Sequence, residues 1–275
     1  MKRPLTAAAV VVAVVGLTGA GLGWGARSLL TRQAATARGL IGTQLGEQAL
    51  DADRTFKKKY GDRIELLLLG DSIAAGLGAE RPKETLGARL ATRLAKRTGR
   101  AVRLTTAARV GSESSVLAQQ LDELPETYRP DVAVIVVGGN DVTHRVPVAV
   151  SVGHLEDAIQ RLRARGTSVV VGTCPDLGAL RPVPQPLRSL GSRASRQLAT
   201  AQRDCALRCG AHAVSLAKVV GPFFITNPDE MFSLDRFHPS ALGYKRTARA
   251  VLPSVLAALG LVDDELPFGH ARPAG

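Results

Sequence analysis

Short apolar runs alternate with amphipathic segments along most of the chain. Runs rich in Val, Leu, Ile and Ala predict buried strands at residues 63–69, 101–107, 131–137, 167–172 and 213–216. Apolar residues at helical spacing predict helices at residues 84–98, 114–124, 148–165, 190–209 and 243–259. Strands that alternate with helices in this way are typical of βαβ units. The pattern therefore predicts an α/β fold with a mostly parallel sheet that helices cover on both faces.

The first residues of the chain have a different pattern. Lys2 and Arg3 precede residues 5–24, which contain no charged residue. As a helix this segment would be roughly 30 Å long, which matches the hydrocarbon core of a bilayer. A buried helix of a globular domain is disfavoured because five glycines between residues 16 and 25 would weaken it. The sequence thus predicts an N-terminal hydrophobic helix, either a signal peptide or a signal anchor, in an exported protein that is secreted or anchored to the outer face of the cell membrane.

These patterns divide the chain into four parts. Residues 1–26 form the export signal, and residues 27–60 form a polar connector rich in Ala, Gln, Arg and Gly. Residues 61–262 contain every predicted strand and are expected to form one catalytic domain, which a C-terminal tail at 263–275 follows. Within the domain, residues 173–189 contain four prolines and predict a long irregular loop, a feature that is often functional.

The composition favours a core of Leu, Val and Ala. The chain has 275 residues, of which 45% are hydrophobic and only 4% aromatic, and this balance excludes a disordered or fibrous protein. The formal net charge of +12 comes from Lys and Arg residues scattered along the predicted helices, apart from a run at 57–59. Scattered charge does not predict a nucleic-acid site. It is compatible with association with an anionic membrane or cell wall.

Three cysteines allow at most one internal disulfide. Cys205 and Cys209 are four residues apart on a predicted helix, so their Cα atoms would lie about 6 Å apart, near the upper end of disulfide geometry. A bridge from Cys174 to either of them is equally open. No group of Cys and His residues has the spacing of metal ligands, and neither a metal nor a cofactor is expected.

A serine follows the first buried strand, in the Gly-Asp-Ser-Ile segment at 70–73. In parallel α/β sheets, ligands bind beyond the carboxyl ends of the strands. Ser72 lies at a predicted strand-to-helix turn, where unpaired backbone N–H groups can stabilise a developing oxyanion. Considered alone, such a serine more commonly caps a helix.

Two later segments add the groups that a nucleophilic serine needs. The Gly-Gly-Asn-Asp segment at 138–141 follows another buried strand, and the side-chain amide of Asn140 can donate a hydrogen bond there. Asp235 precedes His238 by three residues, so one helical turn would bring the carboxylate to the imidazole and fix its tautomer. Each segment alone has a structural explanation, a turn or a surface ion pair. Together, and in this order, they predict a Ser-His-Asp site.

These segments resemble the SGNH (GDSL) hydrolase family over about residues 63–259, and the chain looks like an exported bacterial member. The resemblance implies a three-layer α/β/α fold with a flavodoxin-like parallel sheet. It implies that Ser72 is the nucleophile, that His238 is the general base and acid, and that Asp235 orients His238. It also implies an oxyanion hole made of the backbone N–H of Ser72, the backbone N–H of Gly111 and the side-chain amide of Asn140.

The resemblance predicts a serine esterase that cleaves carboxylic esters through an acyl-enzyme. Few aromatic residues and no large apolar insertion favour short acyl chains on a small-molecule, lipid or sugar ester. An envelope polysaccharide O-acetylesterase or acyltransferase, a lysophospholipase and a thioesterase are open alternatives. A phosphate-binding loop at 70–78 is disfavoured because the Gly-Lys-Ser/Thr ending is missing and because Asp235 and His238 would be unexplained. An inactive binding module is disfavoured because the three triad residues are all present.

Overall fold

The computed structural model describes residues 28–33, 48–262 and 265–274. The predicted N-terminal hydrophobic helix and export signal at 1–26 lie outside these residues, so both stay predictions, as does the division of the chain into four parts. Residues 28–33 are helical. Within the described ranges, no helix combines the length and the hydropathy that a bilayer crossing requires.

Seven strands of the described chain form one sheet. They are β1 (Thr55–Phe56), β2 (Arg63–Gly70), β3 (Ala101–Thr106), β4 (Val132–Val136), β5 (Ser168–Gly172), β6 (His212–Val214) and β7 (His270–Ala271). The order across the sheet is β1-β3-β2-β4-β5-β6-β7, with parallel pairing from β3 to β6 and antiparallel pairing of β1 and β7 at the two edges. Numbered along the chain, the five parallel strands have the order 2-1-3-4-5 of flavodoxin-like sheets. The predicted α/β fold with a mostly parallel sheet is confirmed.

Ten α-helices lie between residues 48 and 262. They are α1 (Ser72–Ala75), α2 (Leu86–Thr98), α3 (Leu117–Asp122), α4 (Gly139–His144), α5 (Val148–Ala164), α6 (Leu187–Arg208), α7 (Leu216–Val219), α8 (Gly221–Thr226), α9 (Pro228–Met231) and α10 (Ala241–Ala258). Short 3-10 turns precede α2, α3 and α6. The helix predicted at 190–209 begins earlier, at Leu187, directly after Pro186. A proline is tolerated there because its missing N–H has no partner in a first helical turn.

Helices cover both faces of the sheet. α2 and α10 pack on one face, and α3, α5 and α6 pack on the other. Along β2, Leu66 and Leu68 contact the first layer while Leu67 and Leu69 contact the second, and all four side chains are fully buried. Burial on both faces explains why this strand has an unbroken apolar run and no alternation.

The two edge strands were not predicted. β1 lies within the predicted connector and buries Phe56, and β7 lies within the predicted tail. Each strand has only two residues, too few for a hydrophobic period. Both add antiparallel partners at the edges of the parallel sheet, which would otherwise expose unpaired backbone groups.

The end of β2 approaches β4 closely at Gly70. Gly70 has a φ of +127°, and a Cβ atom at this position would overlap the carbonyl oxygen of Val136. The side chain of Gln120 also binds the Gly70 backbone: Oε1 accepts from its N–H at 2.9 Å, and Nε2 donates to its carbonyl at 2.8 Å. The positive φ and the close approach to Val136 both require glycine at the point where the chain turns toward Ser72.

We predict that Gly70→Ala lowers the free energy of unfolding by about 4 kcal/mol or more, because backbone strain and atomic overlap add at this site. Gly166→Ala is the matched control, since Gly166 also has a positive φ (+79°) but has nothing within 4 Å of its Cβ position. That variant should lose only about 1–2 kcal/mol. Urea unfolding measures both, and equal losses would show that the approach to Val136 does not matter.

Candidate active site

Ser72 occupies the first position of α1, at the carboxyl end of β2. The side chain of Asp71 caps this short helix by accepting a hydrogen bond from the backbone N–H of Ile73 at 3.0 Å. Ser72 is buried. In the described part of the chain, no group accepts a hydrogen bond from its backbone N–H. The turn thus holds a hydroxyl and an unpaired donor side by side.

The structure brings together the three residues of the predicted triad. The Oγ atom of Ser72 lies 2.9 Å from Nε2 of His238, and Nδ1 of the same ring lies 2.6 Å from Oδ2 of Asp235. All three side chains are buried. Such a chain of hydrogen bonds can move a proton from a hydroxyl to an imidazole and stabilise the resulting imidazolium.

Asp235 reaches His238 through a narrow turn. The prediction of one helical turn between them is wrong, because Phe232 pairs with Pro239 across the turn and Arg236 has a left-handed backbone with a φ of 55°. The left-handed residue reverses the chain within a few positions, which brings the carboxylate back to the imidazole without a helix.

Hydrogen bonds keep Asp235 ionised. Its Oδ1 atom accepts from the hydroxyl of Ser233 at 2.7 Å and from the N–H groups of Phe237 and His238, both at 3.0 Å. Burial by itself raises the pKa of Asp235, but these bonds and the bond to the His238 ring outweigh burial and hold the pKa at about 2. An ionised Asp235 places the proton of the neutral imidazole on Nδ1 and leaves Nε2 free to accept from Ser72.

Asn140 lies on α4, directly beyond β4, and lines the same cavity as Ser72 and His238. Its Nδ2 atom donates to the carbonyl of Ser112 at 2.9 Å. Because an amide nitrogen carries two hydrogens, this bond fixes the side chain and leaves a second donor for a ligand.

Gly111 lies in the turn before Ser112. It is exposed, and it is not among the residues that line the cavity. In the described chain, no group accepts a hydrogen bond from its backbone N–H. Its place in an oxyanion hole therefore stays a prediction, whereas Ser72 and Asn140 both border the cavity.

Asp71 connects the two turns that carry Ser72 and Asn140. Its carboxylate accepts from the N–H of Ile73 and from the N–H of Gly139. Burial raises the pKa of Asp71 to about 6, although these two bonds and the nearby His238 oppose the shift. Asp71 is thus a buried carboxyl whose charge is costly and whose partners are two backbone donors.

Two buried glutamines that were not predicted from the sequence hold the ends of strands. Gln120 binds Gly70, as described above. Gln202 accepts from the N–H of Cys174 at 2.7 Å and donates to the carbonyl of Val137 at 2.9 Å. Both side chains are fully buried on the inner faces of helices. Each glutamine is a polar residue on an otherwise apolar helix face, and this sequence pattern could have predicted a buried structural role for it.

A cavity of about 70 Å³ opens beside Ser72 and His238. Much of its wall is apolar and consists of Leu177, Leu180, Leu216, Val220, Phe224 and Phe232. The rings of Phe224 and Phe232 pack edge to face, with centroids 4.9 Å apart. Asp176 also lines the cavity, and it caps the 3-10 turn Leu177–Ala179 by accepting from the N–H of Gly178 at 2.8 Å. Asp176 thus both borders the cavity and caps the turn beside it.

The three cysteines are free thiols, so none of the disulfides left open by the sequence is formed. Cys205 and Cys209 lie near Glu156, with ligand atoms within 4.8 Å of one another. Burial, followed by the neighbouring Cys209, raises the pKa of Cys205 to about 12. A metal ligand must be a thiolate, so this shift opposes metal binding.

The sequence profile of the GDSL-like lipase/acylhydrolase family matches residues 68–246, which is more than half of the chain. The chain belongs to this family. It is 36% identical over 270 residues to the GDSL-like esterase Rv1075c of Mycobacterium tuberculosis (strain ATCC 25618 / H37Rv), a match that covers 94% of this chain and 85% of the relative. It is thus a GDSL-like esterase, a carboxylic-ester hydrolase.

Solved structures share the fold of this GDSL-like esterase. The lipase Lip_vut3 from a goat rumen metagenome has a TM-score of 0.57 at 17% identity, over 71% of this chain and 97% of that one. TesA has a TM-score of 0.55 at 26% identity, over 70% of this chain and 99% of that one. These similarities place the described domain among hydrolases with a central, mostly parallel sheet.

We predict a pH-dependent loss of stability from Asp71. Its pKa is about 6 in the folded protein and 3.8 ordinarily, so its stabilising contribution is complete below about pH 4 and is lost as the pH rises through 6. The loss is about 3 kcal/mol. Between pH 4 and pH 7, which covers most of this transition, the free energy of unfolding of the wild type should therefore fall by about 2.4 kcal/mol more than that of Asp71→Asn.

Urea unfolding at the two pH values measures this difference. Asp62→Asn, at an exposed position, is the matched control and should respond to pH as the wild type does. An identical pH response in the wild type and Asp71→Asn would contradict the prediction.

Proposed function

We propose that this GDSL-like esterase hydrolyses short-chain acyl esters with Ser72 as the nucleophile. The supporting observation is the hydrogen-bonded series from Ser72 through His238 to Asp235, with separations of 2.9 and 2.6 Å, at the mouth of a small apolar cavity. No other group in the described chain combines a buried hydroxyl, an imidazole and a carboxylate in this order.

In the first step, Oγ of Ser72 attacks the carbonyl carbon of the ester while Nε2 of His238 accepts the hydroxyl proton. The ring becomes an imidazolium, and Asp235 stabilises it through the hydrogen bond at Nδ1. Because Asp235 already accepts three other hydrogen bonds, it is held in place before the charge develops.

The tetrahedral intermediate carries a negative oxygen that needs donors. We assign this role to the backbone N–H of Ser72, the free amide hydrogen of Asn140 and the backbone N–H of Gly111. Collapse of the intermediate expels the alcohol, which takes the proton from His238, and leaves an acyl group on Ser72. Water then attacks this acyl-enzyme while His238 accepts a proton from it. The bond between the acyl group and Oγ breaks, the proton passes from His238 to Oγ of Ser72, and the acid is released.

The size of the cavity supports short acyl chains. Its volume of about 70 Å³ is small beside the roughly 300–1,000 Å³ of pockets that hold drug-sized ligands. An apolar wall without charged groups on the Phe224 side favours a hydrocarbon chain over a polar acyl group.

An O-acetylated polysaccharide meets the same size limit, and acyl transfer to a sugar hydroxyl would use the same acyl-enzyme. Export through residues 1–26 stays a prediction beside these proposals.

We predict that Ser72→Ala lowers kcat on p-nitrophenyl butyrate by about 10⁴-fold or more, because no nucleophile remains. Asn140→Ala should lower it by about 10²–10³-fold, because one oxyanion donor is lost. Ser168→Ala, at the opposite end of the sheet in β5, should retain wild-type activity. Full activity in Ser72→Ala would overturn the proposal.

We also predict that Phe232 limits the acyl length. The wild type should prefer acetate and butyrate esters, and Phe232→Ala should raise the ratio of kcat/KM for octanoate over acetate by about tenfold, since each buried methylene contributes about 0.8 kcal/mol. A series of p-nitrophenyl esters gives this ratio directly.

Phe223→Ala is the matched control for that variant. Phe223 lies one residue before Phe224, but its ring packs under the guanidinium of Arg246 and is not part of the cavity wall. If Phe223→Ala shifts the chain-length profile as much as Phe232→Ala does, the profile does not report the cavity.

A further inference from the structure

A second cleft opens beside the apolar cavity and shares Ala179 with it. Its volume is about 520 Å³, which lies within the range of small-molecule sites. Its polar lining consists of Arg181, Gln185, Arg188, Ser189, Ser192 and Arg196. We call it the arginine cleft. The segment Leu177–Ala179 is the wall between the two spaces.

The arginine cleft carries an excess of positive charge. Three guanidinium groups line it, and no carboxylate does. Asp176 pairs with Arg196, with Oδ2 3.7 Å from Nε, but Asp176 lines the apolar cavity on the other side of the wall and leaves the charges of Arg181 and Arg188 without an acidic partner in the cleft. Like charges that share a concave surface repel each other, and an anion bound between them would remove this repulsion.

Hydrogen bonds hold two of the three arginines against the cleft wall. Nη2 of Arg181 donates to the carbonyl of Ile225 at 3.0 Å, and Nε of Arg196 donates to the carbonyl of Ser192 at 3.3 Å. Each guanidinium has five N–H donors, so both keep donors for a ligand. The guanidinium of Arg188 makes no hydrogen bond or ion pair with any residue in the described part of the chain. Planar, fixed guanidinium groups favour phosphate oxygens.

We propose that the arginine cleft binds a phosphate group on the alcohol portion of the ester substrate. This inference rests on the proposed function, because it assumes that the acyl group occupies the apolar cavity at Ser72. That cavity is too small and too apolar for a phosphate, so the charged group belongs to the leaving alcohol. Ala179 borders both spaces, so a substrate whose alcohol portion extends past Ala179 would contact both.

The test compares two water-soluble esters that differ only in the phosphate, 1-butyrylglycerol and 1-butyrylglycerol 3-phosphate. The release of butyrate gives kcat/KM for each. The wild type should prefer the phosphorylated ester by about tenfold or more, mainly through a lower KM, as expected when charge-assisted hydrogen bonds to the phosphate are made. Added salt should weaken the preference.

Arg188→Gln should lower this preference about tenfold, and Arg188→Lys should restore part of it. Arg203→Gln is the matched control: Arg203 lies on the same helix, is exposed and pairs with Asp204, so the change in net charge is identical outside the cleft. Arg203→Gln should leave both rate constants unchanged. Equal kcat/KM for the two esters in the wild type, or equal losses in Arg188→Gln and Arg203→Gln, would overturn the proposal.

Titration of Ser72→Ala with inorganic phosphate separates the possible failures. If Ser72→Ala releases heat on binding phosphate and the double variant Ser72→Ala/Arg188→Gln does not, the cleft is supported as an anion site. If Ser72→Ala itself shows no heat of binding, the anion site is overturned. Phosphate binding without ester discrimination means that the cleft takes a free anion, which overturns the substrate assignment. If the wild type cleaves neither ester, the proposed function fails, and the phosphate titration still decides whether the cleft binds an anion.

Discussion

The carboxylate of Asp71 is buried between two turns that follow different strands. It accepts one backbone N–H from the turn that carries Ser72 and one from the turn that carries Asn140. Burying a carboxylate without hydrogen-bond donors costs several kcal/mol, so moving either turn away from Asp71 would destabilise the folded protein. The relative positions of the hydroxyl and the amide donor thus depend on one side chain, and the strands beneath serve to bring the two turns to it.

Two buried carboxyl groups near His238 have pKa values that are shifted in opposite directions. Asp235 accepts four hydrogen bonds, which outweigh burial and hold its pKa at about 2. Asp71 accepts two backbone bonds, burial dominates, and its pKa rises to about 6. The first group is a permanent anion that fixes the tautomer of the ring. The second adds negative charge near the ring at neutral pH. The proposed mechanism forms an imidazolium there, so the cost of burying Asp71 is placed where a positive charge would develop.

The sequence predicted what depends on local pattern and missed what depends on tertiary contact. Long apolar runs revealed the parallel strands because burial on both faces excludes polar residues. Ser72, Asn140 and His238 were found because they lie in short segments of unusual composition. Gln120 binds a backbone 50 positions away, and no local pattern encodes that distance. The left-handed Arg236 was missed for a related reason, since a non-glycine residue adopts such a backbone only when the surrounding structure imposes it.

The wall between the apolar cavity and the arginine cleft separates two kinds of recognition. Asp176 caps this wall with one carboxylate oxygen and faces Arg196 with the other. Gly178 lets it pack closely, because a Cβ atom there would overlap Ser192. On the cavity side, dispersion and dehydration would bind the acyl chain, and their contribution stops growing once the chain fills the cavity. On the cleft side, charge would bind the alcohol portion, and its contribution falls as the salt concentration rises. Under the proposed function, selectivity for the acyl group and selectivity for the alcohol could therefore change independently, although both would act on one ester bond at Ser72.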